Sequence, residues 1–371
     1  MNAPIFIKNP SELYQIVPSR NEQGAPIFSV LVKRTYRILP NQSLQRLESA
    51  KPFVEADEYW DDGDPTWSTV KHEHELLPYK LATDVVVVGK AYSPQGQPIS
   101  QMDATVAVGQ FSKTLRIFGD RRCEHRANQP PRFTDPIPFT EMEIRYEKAY
   151  GGKDDKSLPG LEFYYPRNTM GTGIAIKNLR EVVDGLPLPN LEDPSDLLTP
   201  ERIVLGEPER WNQQPLPQGF GWFQKTWYPR CSFVGSIPGF VDVDEVMREE
   251  LLKWVPKRQI ALARQFKLPS FSVRFNNGAS WGLIVPFLTG DEPVRLTGFD
   301  PDGALAFALP GQKPRIMLDI GLGDNELKVF LHTVCIRLEQ GQVDLIWRGA
   351  QEYPGIDWLP EMQRLQVEVG E

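Results

Sequence analysis

Residues 84–152 constrain the fold of this chain more than any other stretch. They open on the unbroken run Val85-Val86-Val87-Val88 and continue through two strand-like segments, 104–108 and 113–118, each followed by Gly. They close on Tyr146-Glu147-Lys148-Ala149-Tyr150-Gly151-Gly152. Branched side chains pack well on a pleated surface, and Gly and Pro interrupt it, so such runs read as consecutive sheet strands.

The same pattern recurs on both sides. Residues 28–38 form a strand whose second half alternates polar and apolar side chains; Pro40-Asn41-Gln42 turns the chain, and 43–47 supplies a short return strand. Ser93-Pro94-Gln95-Gly96 has hairpin-turn chemistry, and 141–146 alternates as a strand should. From residue 271 strands return at 272–275, 293–299, 304–308, 315–319, 333–339 and 342–347, the last two joined by a turn at Glu339-Gln340-Gly341-Gln342. Residues 55–80 sustain neither period and read as a structured loop, and Pro130, Pro131, Pro136 and Pro138 exclude a regular element between 119 and 140. One helix of length fits residues 242–254, ending before Pro256, with a further helical turn possible in 257–266.

The expected fold is therefore mainly β: antiparallel, sandwich-like sheets with long ordered loops and one or two short helices. Residues 1–152 form an N-terminal sheet region, 153–230 a loop-rich and aromatic-rich cover, and 231–371 a short helix followed by a C-terminal sheet region, together one unit. The 34 Pro and 29 Gly, spread without a period, suit many strand ends and ordered loops.

Composition narrows the functional classes. With 40% hydrophobic and 24% charged residues in 371, the chain has the makeup of a globular protein with a sizeable core. A net charge of −8 argues against general affinity for nucleic acid or an anionic membrane. Cys123, Cys231 and Cys335 are odd in number and far apart, a poor disulfide framework and a poor metal pattern. The opening MNAPIFIKNP lacks the charged and apolar regions of a secretory signal, and no window reaches the roughly 18 apolar residues of a membrane span. The expectation is a soluble, cytoplasmic protein that inserts in no membrane, binds no nucleic acid and carries no cofactor.

Few constellations point to chemistry. His72 and His74, two apart on a strand, would face the same way and could share a metal with Asp61, Asp62 or Asp64; a solvated polar loop explains them better. Asp61-Asp62-Gly63-Asp64 lacks the ligand spacing and closing Glu of a calcium loop. Gly171-Thr172-Gly173 has no third Gly and no surrounding βαβ unit, so it is no dinucleotide fingerprint. Cys123, two residues from His125 and flanked by Arg121, Arg122 and Arg126, would be a lowered-pKa thiol if those charges face it; a structural Cys is the simpler reading. The tract holding Trp222, Phe223, Trp227, Tyr228 and Arg230 has the residue types of interface hot spots and is the candidate partner-binding surface. Equally, these rings would fill the space between the long loop and the sheet.

Several phrases, in order, resemble the domain-of-unknown-function 2169 family of type VI secretion accessory proteins. They are 80–89 (KLATDVVVVG), 113–121 (KTLRIFGDR), 136–152 (PIPFTEMEIRYEKAYGG), 188–193 (LPNLED), 217–230 (PQGFGWFQKTWYPR), 275–277 (FNN) and 296–310 (LTGFDPDGALAFALP). The chain departs from the family pattern around 279–281, where an Asp-Gln pair is expected, and at Tyr165-Pro166-Arg167-Asn168. The resemblance implies a non-enzymatic adaptor or chaperone that binds a toxic effector, or its tip domain, and helps load it onto the secretion spike; no catalytic residues come with it. The residues alone leave two alternatives: a metal-dependent hydrolase built on His72 and His74, and a carbohydrate-binding β-sandwich using the Trp side chains.

Overall fold

The computed structural model describes residues 6–7, 12–21, 25–39, 43–61, 67–126, 129–233, 272–321, 323–353 and 366–370. The strands of five or more residues are β1 (Leu13–Arg20), β2 (Pro26–Arg37), β3 (Thr83–Val88), β4 (Gln101–Val108), β5 (Phe111–Phe118) and β6 (Pro293–Asp300). They continue with β7 (Gly303–Ala308), β8 (Arg315–Asp319), β9 (Val329–Arg337), β10 (Gln342–Glu352) and β11 (Gln366–Gly370).

A seven-stranded sheet runs Ile284–Val285, β3, β9, β10, β2, β1, with Gln45–Arg46 paired to β2. A five-stranded sheet runs Leu191–Glu192, β5, β4, β6, β7, and a four-stranded sheet runs Phe6–Ile7, β11, β8, Asn325–Glu326. The protein is thus mainly β, and residues from all three sheets join one core cluster: Val87 and Trp347 from the first, Val106 and Leu296 from the second, Ile316 and Val369 from the third. Strands near the two ends of the chain interleave, since β2 pairs with β10 and β4 with β6.

The pairing of β3 with β9 is parallel, a departure from the antiparallel expectation. Every residue of β3 is buried, and a strand covered on both faces reads as a continuous apolar run instead of alternating. That is why Val85–Val88 shows no period.

Other local expectations are redrawn. Pro94–Gly96 is a turn with Gln95 at φ 55°, but it closes no hairpin, because Lys90–Tyr92 pairs with Glu141–Glu143. Residues 141–146 keep only that three-residue strand before a helical turn at Tyr146–Lys148. The loop at 55–80 contains a short pairing of Glu58–Tyr59 with Val70–His72. Residues 272–275 are not a strand: Val273–Asn276 is a 3-10 turn, with the Ser272 hydroxyl accepting the Arg274 N–H. The expected helix at 242–254 lies outside the described residues; the α-helix among them is Arg180–Val183.

The loop-rich region builds a second core of its own around Tyr150, Tyr165, Ile174, Val183, Leu198 and Ile203. Phe220, Trp222, Phe223 and Trp227 instead belong to the main core.

Candidate partner-binding site

Three phrases far apart in sequence meet at one place: the start of β3, the aromatic tract and the turn after Val273–Asn276. Asp84, fully buried, is the hub. Its carboxylate accepts from Lys80 Nζ at 2.6 Å, Asn277 Nδ2 at 3.1 Å and the N–H groups of Gly278 and Ala279 at 3.1 and 3.3 Å. Asn277 also donates to the Ala82 carbonyl and accepts the Leu81 N–H, and Asn276 donates to the Tyr79 carbonyl. Each side-chain contact replaces a backbone partner that an irregular segment lacks, so the turn is fixed to the sheet.

Beside this hub lies a second buried pair. Arg230 donates to Glu73 through Nη1 at 2.7 Å and Nη2 at 2.5 Å, and its remaining donors reach the carbonyls of Phe275 and Phe223. Burial works against the Arg230 charge, but the Glu73 carboxylate outweighs it and raises the pKa. Gly278 packs on this pair so closely that a Cβ there would lie 2.5 Å from Glu73 Oε2 and 2.6 Å from Arg230 Nη1.

Above the network the chain leaves an apolar pocket of about 310 Å³, lined among others by Leu81, Phe223, Phe233, Arg274, Trp281 and Ile284. Its floor is hydrogen-bonded and its rim is open. Trp281 and Ile284 are 39% and 42% exposed, and the Trp281 ring meets Phe223 edge-on at 6.0 Å. Arg274 is exposed, and among the described residues its guanidinium has no ion-pair or hydrogen-bond partner. At the mouth, the Ser272 N–H bonds the Phe233 carbonyl at 2.7 Å.

Of the five tract residues proposed from sequence, Trp222, Phe223, Trp227 and Arg230 are buried, at 4% exposure or less. Trp227, Phe223 and Tyr146 form a mutual edge-on cluster. Phe223 and Arg230 line the pocket, with Trp227 and Tyr146 packed behind Phe223; of the five only Tyr228 reaches solvent, packed edge-on against Trp211. Trp281, Ile284 and Arg274 carry no local sequence signal that would have singled them out, because exposure at a turn is set by distant packing.

The other candidate residues fall elsewhere. His72 is buried with Nε2 3.3 Å from Arg337 Nη1, and burial together with Arg337, Lys71 and Lys33 lowers its pKa to about 3. A cationic neighbourhood of this kind opposes a metal ion. The His74 N–H bonds the Asp57 carboxylate, which in turn holds Lys225. Among the described residues no group of three or more His, Cys, Asp or Glu is placed to hold a metal. Cys123 is buried, and burial with Asp184 and Glu124 pushes its thiol up to about 11, the reverse of activation. The neighbouring Arg121 pairs with Glu192 instead. Gly173 takes φ +100° where it pairs with Gly151, a backbone role unrelated to phosphate binding.

Fold and site together define a mainly β protein that offers an apolar recess on a hydrogen-bonded floor. The chain belongs to the bacterial family described as an uncharacterized protein conserved in bacteria (DUF2169), whose family model matches residues 23–348. No curated protein and no solved structure matches the chain. No helix among the described residues is long and apolar enough to cross a membrane.

Proposed function

We propose that this protein is a non-enzymatic, cytoplasmic adaptor that holds a secreted toxin, or its tip domain, and helps load it onto a type VI secretion spike. The family resemblance supplies the class of role. The observation that supports it here is the apolar pocket rimmed by Trp281 and Ile284 over the Glu73–Arg230 and Asp84 networks. Specific interfaces centre on a buried apolar anchor with a polar rim, and pre-organised floors cut the ordering cost of binding. With Arg274 at the edge, the client group that fits is an apolar side chain beside a carboxylate.

Co-expression with a toxin encoded beside this chain tests the reading. The expected result is a soluble complex that co-purifies and is weakened by Trp281→Ala. Failure to co-purify with any such neighbour overturns it.

A further inference from the structure

The outer edge of the five-stranded sheet is a second place where a polypeptide can be held. β7 pairs with β6 on one side, and among the described residues nothing pairs with the other. The ladder shows which backbone groups face outward. The Leu309 N–H bonds the Glu292 carbonyl, so Val294/Phe307 and Leu296/Leu305 are the hydrogen-bonded pairs and Arg295/Ala306 and Pro293/Ala308 are not. The N–H and C=O groups of Ala306 and Ala308 therefore point away from β6, and among the described residues no backbone group bonds them.

Exposed edges are ordinarily blunted by charge, proline or shortness, and the other sheet edges are. β1 carries Pro18 and ends in Arg20; Ile284–Val285, Leu191–Glu192, Phe6–Ile7 and Asn325–Glu326 are two residues each. β7 reads Gly-Ala-Leu-Ala-Phe-Ala, six residues with neither charge nor proline. Phe307 is buried and Leu305 packs partly buried on the main core, so a strand added here would extend an apolar face already in place.

We infer that β7 accepts an extended segment of a partner polypeptide as an added antiparallel or parallel strand, with apolar residues at alternate positions facing the Leu305 and Phe307 side. This rests on the adaptor reading only for the identity of the client. A six-residue strand pair alone falls well short of the roughly 1,200 Å² of a stable rigid interface, which disfavours a second copy of this chain. A flexible segment tethered to a client body seated elsewhere has no such requirement, because the tether raises its effective concentration.

The test uses the full chain, immobilised, and a random dodecapeptide library displayed in many copies on each phage, so that multivalency supplies the effective concentration a tether would, with Ala306→Pro and Ala306→Lys as counter-targets. The Ala306 N–H takes no part in pairing to β6, so proline removes a donor aimed only at the guest; lysine blunts the edge with the backbone intact should proline unfold the chain. The inference expects enriched peptides with apolar residues at alternate positions and an affinity loss of about tenfold or more on either variant, the scale of one or two backbone hydrogen bonds. Absence of enrichment, or peptides indifferent to both variants, overturns it. So does a wild-type dimer in sedimentation that Ala306→Lys converts to monomer, which would assign the edge to self-pairing. Because no toxin enters this experiment, its outcome is separate from that of co-purification.

Discussion

Arg230 and Glu73 face each other as a two-pronged ion pair, 2.7 and 2.5 Å between paired atoms, with both side chains almost entirely out of solvent. Glu73 precedes Arg230 by 157 residues. The pair thus joins the loop after Val70–His72 to the segment that floors the pocket. Removing Arg230 leaves the buried Glu73 carboxylate with Lys225 Nζ, 3.6 Å away, as its remaining cationic partner, so the cost reaches at most the roughly 3–5 kcal/mol of an uncompensated buried charge. Arg230→Ala is expected to destabilise the protein by up to that amount in urea unfolding. The apolar double replacement Arg230→Met with Glu73→Leu should recover part of it, since no buried charge of the pair remains although the Phe275 and Phe223 carbonyls lose their donor. Equal loss in the single and double variants would contradict this account.

Gly278 gives an independent measure of the same contact. Its backbone is in an ordinary region, but a Cβ would press on both charged groups. Gly278→Ala should cost roughly 1–3 kcal/mol in the native background, as crowding of a well-packed site does. In the Arg230→Met, Glu73→Leu background the cost should change by 0.5 kcal/mol or more, because residues in contact couple. Strict additivity would place Gly278 outside the pair's environment.

The ring cluster behind the pocket and the exposed rim separate cleanly in their expected effects. Trp227 is 1% exposed among Tyr146 and Phe223, so Trp227→Ala leaves a cavity and costs about 3–5 kcal/mol of stability. Trp281 is 39% exposed, and Trp281→Ala should cost about 1 kcal/mol or less. The complex with a client toxin should respond the other way round: Trp281→Ala weakens affinity with a far smaller shift of the unfolding midpoint than Trp227→Ala. Calorimetric binding beside urea unfolding checks both, and a Trp281→Ala protein that binds normally removes the pocket from consideration.

What the sequence discloses follows from how local each determinant is. β8 and the Glu339–Gln342 turn are legible because alternation and a left-handed Gly341 (φ 59°) are local facts. The turn Val273–Asn276 mimics a strand, since Val273 and Phe275 alternate with polar residues; Ser272 capping and the anchoring of Asn276 and Asn277 to residues 79–84 decide otherwise. The aromatic tract is recognisable as special but its orientation is not, because Arg230 is turned inward by a carboxylate remote in sequence. Three of the seven phrases carrying the family resemblance, 80–89, 217–230 and 275–277, include the segments that meet beside Asp84; the other four lie elsewhere in the fold. Trp281, Ile284 and Arg274, which form the rim of the pocket, are single residues at turns and edges, and nothing around them in sequence reports their exposure.

The buried histidines predict the response to acid. His72 has its pKa lowered to about 3, and His332, 1% exposed, is held well below the usual value by burial with Arg348 and Lys80 nearby. Both are neutral in the folded protein, whereas in the unfolded chain a histidine protonates near pH 6.5. Below that pH the unfolded state binds more protons, so stability falls as pH drops. The contribution of His72 is fully present above about pH 6.5 and is lost progressively down to about pH 3. The slope approaches about 1.4 kcal/mol per pH unit for each histidine once it is fully charged in the unfolded chain. Urea unfolding should therefore show stability falling from pH 7 to 5, the two histidines contributing an uptake that approaches two protons at pH 5. Buried Lys113, its pKa lowered to about 7, adds uptake at the pH 7 end, and buried Glu192, its pKa raised, opposes it at the acid end. Replacing His72 by Gln should reduce the uptake at pH 5 by about one proton. A stability flat across this window in the native protein would mean that His72 and His332 are charged or solvated in the fold.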